Sequence, residues 1–148
     1  MPIDLRVVNR AMRRGAIAWL VGMGLTIVGL GIFYGPRFLG PSADVFSVAV
    51  LLFIAAVMLI HIRGAVRTLG TTVTTTGLTR RALGEDLSIS WGEVVRVRLR
   101  SGRIVLEREG SPHVVVSLMY VTAPDAVREA IFACLPTAAV RGSDASPI

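Results

Sequence analysis

Two long hydrophobic runs occupy the first half of the chain. The first, residues 15–36, reads GAIAWLVGMGLTIVGLGIFYGP and contains no charged residue. The second lies within 45–63 and reads VFSVAVLLFIAAVMLIHI before its closing arginine. At about 1.5 Å per helical residue, the first run spans about 30 Å, the thickness of a bilayer core. The pattern therefore predicts transmembrane helices over 15–36 and 45–63. A secretory signal peptide is the alternative for the first run, but the run is too long and another follows it.

Arginines beside these runs predict the orientation of the hairpin. Residues 1–14 carry four arginines, the connecting segment 37–44 carries one, and residues 63–81 carry four. Because positive residues are retained on the cytoplasmic side, we expect both termini to be cytoplasmic. Residues 1–14 then form a cytoplasmic basic segment and 37–44 an external loop. All sixteen basic residues are arginine, which is typical of a high-GC bacterial genome, so the expected location is a bacterial cytoplasmic (inner) membrane.

Small residues recur on the first run at a spacing that allows close helix packing. The set is Ala18, Gly22, Thr26, Gly31 and Gly35. We interpret it as a surface for packing against the second helix of the same hairpin. Oligomerisation through this surface is the alternative.

Beyond residue 70 the pattern changes to alternation, which is typical of half-buried strands. In VVRVRLR, period two predicts one apolar and one basic face. The two faces are Val95, Val97 and Leu99 toward a core, and Arg96, Arg98 and Arg100 outward. Turn signals at Thr76-Gly77, Ser101-Gly102 and Gly110-Ser111-Pro112 divide the region into about five antiparallel strands.

The final strand and a helix complete the predicted domain. HVVVSLMY places Val114, Val116, Leu118 and Tyr120 on one face. A helix then begins with Thr122 as its cap and Pro124 in its first turn, and it stops at Pro136. We therefore predict an α+β domain over 64–136, a small antiparallel sheet or half-barrel capped by a C-terminal helix. Residues 137–148 are predicted to be a disordered tail.

The segment VTTTGLTRRALGEDLSISWGEVVRV, placed after a membrane hairpin, resembles bacterial pleckstrin-homology-like (PH-like) domains of small membrane proteins. The resemblance implies a strongly bent sheet closed by a C-terminal helix. A full domain has seven strands, so the five found imply a trimmed domain, a strand supplied by another chain, or a strand formed by residues that are predicted here to be helical. Eukaryotic relatives bind inositol lipids through a basic loop between their first two strands. The matching Thr76-Gly77 turn is short and neutral, so that activity is not expected here.

The amino-acid composition limits the classes of function that the chain can have. Hydrophobic residues make up 53% of the chain, mean hydropathy is +0.65, and the net charge is +6. The charge lies beside apolar runs, so anionic lipids are expected as partners and nucleic acid is not. The single cysteine, Cys134, excludes an intrachain disulfide and a multi-cysteine zinc site. His61 and His113 lie in unrelated settings. We expect no catalytic residues, metal, cofactor or small-molecule substrate, and hence no enzyme.

Seven arginines are the candidate contacts for anionic lipids, worth about 1 kcal/mol each near the surface. They are Arg13, Arg14, Arg63, Arg67, Arg96, Arg98 and Arg100. For the three arginines of VVRVRLR, a solvated outer face that prevents wrong strand pairing is the favoured interpretation. Glu107 and Glu109 are expected to neutralise part of this charge across the ladder. Trp91 is interpreted as a core anchor and Trp19 as an interfacial one.

The expected function is a membrane-proximal module for interaction with a protein partner or with another copy of the chain. Two alternatives remain open. One is binding of an anionic lipid surface by the arginine-rich face. The other is a role as accessory subunit of a membrane transporter or envelope enzyme.

Overall fold

The computed structural model describes residues 4–39 and 45–141 of the chain. Two long helices come first, α1 (Leu5–Leu39) and α2 (Val45–Leu69). Both have the length and apolar composition required to cross a membrane. They are longer than the predicted spans, because α1 begins ten residues earlier and α2 continues six residues later. Residues 37–39 of the predicted external loop belong to α1, and residues 40–44 lie outside the described residues.

The two helices lie side by side and run antiparallel. Trp19 stacks on His61 near one end, while residues around Ile27 and Gly35 share a cleft with those around Leu51 farther along. The cleft has a volume of about 420 Å³ and an almost wholly apolar lining. The helices therefore meet at the Trp19–His61 stack and share an apolar cleft farther along.

The apolar cleft bears on the predicted packing of the small residues of α1 against α2. Gly31 and Gly35 line the cleft, yet a Cβ on either would meet no atom within 4 Å. Ala18, Gly22 and Thr26 are exposed. The predicted packing of the five residues against α2 stays a prediction. A role of Ala18, Gly22 and Thr26 in contact with another chain stays a prediction.

Six strands follow, arranged as two antiparallel three-stranded sheets. The first sheet has the order β1 (Thr71–Val73), β2 (Gly77–Ala82), β3 (Glu85–Ser90); the second has the order β4 (Val94–Arg100), β5 (Arg103–Arg108), β6 (Ser111–Ser117). The predicted number of five is wrong because β3 and β4 are separate strands. A two-residue turn, Leu83 and Gly84 with positive φ, folds β3 back on β2, and a 3₁₀ turn at Trp91–Glu93 ends it.

Two short helices close the described chain, α3 (Pro124–Cys134) and α4 (Thr137–Arg141). Thr122 does not cap α3 as predicted, because Ala123 occupies the cap position and the Thr122 hydroxyl donates to Ala11 O at 3.1 Å. The predicted tail is wrong for residues 137–141. Ala139 is 1% exposed and belongs to the core, so burial of its methyl group orders this segment. Residues 142–148 lie outside the described residues.

Both sheets and three helices share one hydrophobic core. Its fully buried members include Leu78 and Ile89 from the first sheet, Leu106 from the second and Ile131 from α3. Val8 and Met12, from the first turns of α1, are 3% and 0% exposed in the same core. The folded domain therefore extends beyond 64–136 and includes the start of the chain, which was predicted only as a basic segment.

Trp91 is the largest aromatic residue in this core, as the sequence predicted. Its side chain is 4% exposed and its indole Nε1 donates a hydrogen bond to Thr74 O at 2.9 Å. The bond links the 3₁₀ turn after β3 to the loop between β1 and β2. The indole thus contributes apolar burial and also holds two segments together.

The predicted faces of β4 are correct only in part. Val97 is buried and Leu99 is half-buried, but Val95 is 58% exposed. A β-bulge between Val94 and Arg96 shifts the register by one residue, so Val94 takes the inward position. By contrast, Val114, Val116, Leu118 and Tyr120 are all buried, which confirms the predicted inner face of β6 and the segment after it.

Asn9 of α1 covers the edge of β1. Its Nδ2 donates to Val73 O and its Oδ1 accepts from Val73 N, both at 2.8 Å. Replacing Asn9 by alanine is expected to lower the free energy of unfolding by about 1 to 2 kcal/mol, because two hydrogen bonds are lost. The thermal midpoint of the detergent-solubilised chain measures this. The exposed neighbour Arg10→Ala should change stability by less than about 0.5 kcal/mol, and equal effects of the two substitutions would contradict the edge role of Asn9.

Candidate functional site

The segment after β6 packs directly against the two long helices. A Cβ on Gly15 would lie 2.7 Å from Thr122 N and from Val121 Cα. A Cβ on Gly64 would lie 2.6 Å from the Tyr120 hydroxyl oxygen. Glycine at both positions permits this close approach, so the domain is held against the base of the helix pair.

Three aromatic rings fill the same junction. The Trp19 ring stacks on His61 with centroids 5.2 Å apart, and it meets Tyr120 edge-on at 5.3 Å. The Tyr120 hydroxyl lies 3.1 Å from His61 Nδ1, within hydrogen-bonding distance. Burial raises the pKa of Tyr120, with Arg103 opposing, so the hydroxyl stays protonated at neutral pH. One residue from each long helix and one from the domain thus form a single contact.

A groove of about 780 Å³ lies beside this junction, between the end of α2 and the two sheets. We call it the basic groove. Its charged lining residues are Arg63, Arg67, Arg80, Arg103, Arg108, Glu85 and Asp86. Five guanidinium groups against two carboxylates leave an excess of three positive charges, so the groove attracts anions.

Arg80 forms the inner wall of the basic groove. It is 8% exposed, its Nε donates to Thr71 Oγ1 at 3.1 Å, and its Nη2 donates to Val115 O at 2.7 Å. The second bond joins the first sheet to the second. Burial lowers the pKa of Arg80, Glu85 opposes this effect and Arg67 adds to it. Arginine keeps its charge under such conditions, so Arg80 remains a buried cation.

The two carboxylates of the basic groove are already paired. Glu85 forms an ion pair with Arg67, and Asp86 Oδ1 lies 3.3 Å from Nε of Arg81, outside the groove. Pairing offsets the repulsion that the two acids would exert on an anion. The net attraction of the groove therefore comes from its remaining arginines.

Those arginines differ in their freedom. Arg108 donates to Pro112 O at 3.1 Å and lies 3.6 Å from Glu93. Arg63 and Arg103 are exposed, and within residues 4–39 and 45–141 neither has an ion pair or a side-chain hydrogen bond. These two guanidinium groups can thus bind a ligand without first breaking another contact.

Of the predicted lipid contacts, the structure brings only Arg63 and Arg67 into the groove. Arg13 and Arg14 are exposed on α1. On β4, Arg100 is exposed and Arg96 and Arg98 are half-buried, and none of the three lines the groove. Arg98 Nε lies 2.8 Å from Glu107 Oε1, which agrees with the predicted neutralisation by Glu107.

A common site for Arg80, Arg103 and Arg108 was not predicted from the sequence. For Arg80 a local signal existed: period two from Leu78, a core residue, places Arg80 on the inner face of β2. No local pattern connects Arg63 with Arg103, because the two come from different elements 40 residues apart. Only the fold brings them together.

Other reactive side chains contribute less to this site. Cys134 is half-buried against the core, and burial raises the pKa of its thiol, which reduces its reactivity. His113 lies near the exposed start of β6 and lines the basic groove. In the part of the chain that the structure describes, no three or more His, Cys, Asp or Glu side chains are placed to hold a metal ion.

Comparison of the chain with protein-family models, curated proteins and solved structures finds no match.

Proposed function

We propose that this chain is a non-enzymatic integral membrane protein that binds an anionic partner at the membrane surface through the basic groove. The observation that carries the proposal is the excess of positive charge in a groove built jointly by α2 and both sheets. In this proposal α1 and α2 cross a bacterial inner membrane with both termini in the cytoplasm. The six strands and α3 form a PH-like domain.

The position of the groove supports this placement. Arg63 follows the apolar run of α2 directly, so in an inserted hairpin the groove opens at the level of the lipid headgroups. The contacts of Tyr120 with both helices fix the direction in which the groove faces. A partner would therefore meet the same charged surface in every copy of the protein.

Self-assembly is the second candidate function. The observation in its favour is the exposed face of α1, where Ala18, Gly22 and Thr26 lie four residues apart. Association of two copies along this face would leave the basic groove open. The two proposed activities are thus compatible.

The anion-binding proposal predicts a difference between two double variants. We expect the full chain, in an uncharged detergent, to bind pyrophosphate as a soluble anionic probe. Arg63→Ala with Arg103→Ala should weaken this binding about thirtyfold, since each arginine contributes about 1 kcal/mol, or about fivefold. Isothermal titration calorimetry measures the dissociation constants.

The matched control is Arg96→Ala with Arg100→Ala, which removes the same charge outside the groove. It should change binding by less than about twofold, and wild-type binding should weaken as salt rises. If the two double variants lost affinity for pyrophosphate equally, the net charge of the chain alone would account for binding. That result, or absence of pyrophosphate binding by the wild type, would refute the proposed site.

A further inference from the structure

We infer that the anion held by the basic groove is the headgroup of a phospholipid, whose acyl chain lies along one exposed face of α2. The inference rests on the proposed function and deepens it. The proposed ligand is an amphiphile that comes from the surrounding membrane leaflet. A soluble anion and an acidic protein are the alternatives that the experiment separates.

One face of α2 changes from apolar to basic along its length. Phe53, Val57 and Ile60 follow helical spacing and are 70%, 37% and 68% exposed. The same face continues into Arg63 and Arg67, which line the basic groove. An apolar strip about 10 Å long thus leads straight into a cluster of guanidinium groups.

Ile60 joins the two parts. It belongs to the exposed apolar strip and also lines the basic groove, one turn before Arg63. A ligand that fills the groove therefore meets the apolar side chain of Ile60 next to the guanidinium groups of Arg63 and Arg67 on the same helix. A phospholipid has this distribution, with an acyl chain joined to a phosphate, whereas a soluble anion leaves Ile60 without a partner.

The chemistry at the inner end suits a phosphodiester. Guanidinium groups bind phosphate oxygens through paired N–H donors, and Arg63 and Arg103 are free to do so among the described residues. Arg80 is held by Thr71 and Val115 behind them and adds a fixed positive charge. Glu85 and Asp86 oppose an anion, but each is paired with an arginine.

The experiment uses the full chain in maltoside detergent, because α1 contributes to the domain core and the domain cannot be tested alone. Native mass spectrometry measures binding of phosphatidylglycerol, phosphatidylcholine and glycerol 3-phosphate. We expect phosphatidylglycerol to bind at least tenfold more tightly than either of the other two. Arg63→Ala with Arg103→Ala should weaken phosphatidylglycerol binding about thirtyfold.

Two further substitutions test the acyl-chain face. Ile60→Asn should weaken phosphatidylglycerol binding several-fold and should weaken glycerol 3-phosphate binding by a smaller factor. Leu25→Asn, at an equally exposed apolar position on α1, is the matched control and should leave both unchanged. Equal losses in Ile60→Asn and Leu25→Asn would refute the α2 face as the acyl-chain site.

The remaining outcomes separate this inference from the proposed function. Equal affinity for glycerol 3-phosphate and phosphatidylglycerol would overturn the lipid assignment and leave anion binding by the groove intact. Equal affinity for phosphatidylcholine and phosphatidylglycerol would overturn the requirement for an anionic headgroup. Failure of both phosphatidylglycerol and pyrophosphate to bind would overturn the lipid inference and the proposed function together.

Discussion

Replacing Gly15 by alanine should lower the free energy of unfolding by about 3 kcal/mol. The added methyl group would meet Tyr120 O, Thr122 N and Val121 Cα, all backbone atoms of a segment seated on the two helices. Backbone cannot yield by rotating a side chain, so either α1 or the segment must move, and overpacking of this kind costs about 1–3 kcal/mol or more. The thermal midpoint of the detergent-solubilised chain should fall by about 10 °C or more.

The control for this prediction is the same substitution at Gly22, seven residues along the same helix. A Cβ there meets nothing within 4 Å, and alanine is the better helix former by about 0.5–1 kcal/mol. Gly22→Ala should therefore leave the midpoint unchanged or raise it. If the two variants melted together, Gly15 would not hold the domain to the helices.

The second large effect is expected at Trp91. Truncation to alanine removes a buried indole and leaves a cavity, which costs about 3–5 kcal/mol. Trp91→Phe keeps most of the apolar volume and loses the hydrogen bond to Thr74 O, worth about 1 kcal/mol. We therefore expect the midpoint to fall in the order wild type, Trp91→Phe, Trp91→Ala.

Cys134 provides an independent measurement for Trp91. It is the single cysteine of the chain and packs against the same core. Its labelling by a maleimide should accelerate in Trp91→Ala, because the core around it opens more often. If Trp91→Ala were labelled and melted like the wild type, the core role of the indole would be contradicted.

Patterns confined to one element predicted the fold well. The uninterrupted apolar runs indicated α1 and α2, and alternation indicated the buried residues of β6, Val114 and Val116. The register of β4 was wrong at Val95, because a β-bulge inserts one residue without changing the local composition. Period-two alternation assigns the faces of a strand correctly only when no residue is inserted. A single extra residue exchanges the inward and outward positions that follow it.

The basic groove was predictable only in part. Arg63 and Arg67 were identified from their position after an apolar run, which is a local signal. Arg103 enters the groove through the packing of the second sheet against α2, and such packing depends on contacts between distant segments. Val8 and Met12 show the same limit, since nothing near them in the chain indicates that their partners lie more than sixty residues away.

The shared core of α1 and the C-terminal helices has a consequence for biogenesis. Val8 and Ile131, near opposite ends of the polypeptide, must meet in one aqueous compartment for the core to form. If only one of the long helices crossed a bilayer, Val8 and Ile131 would lie on opposite sides of it. In the proposed membrane topology, the nascent protein therefore acquires its final stability only after both long helices have been inserted.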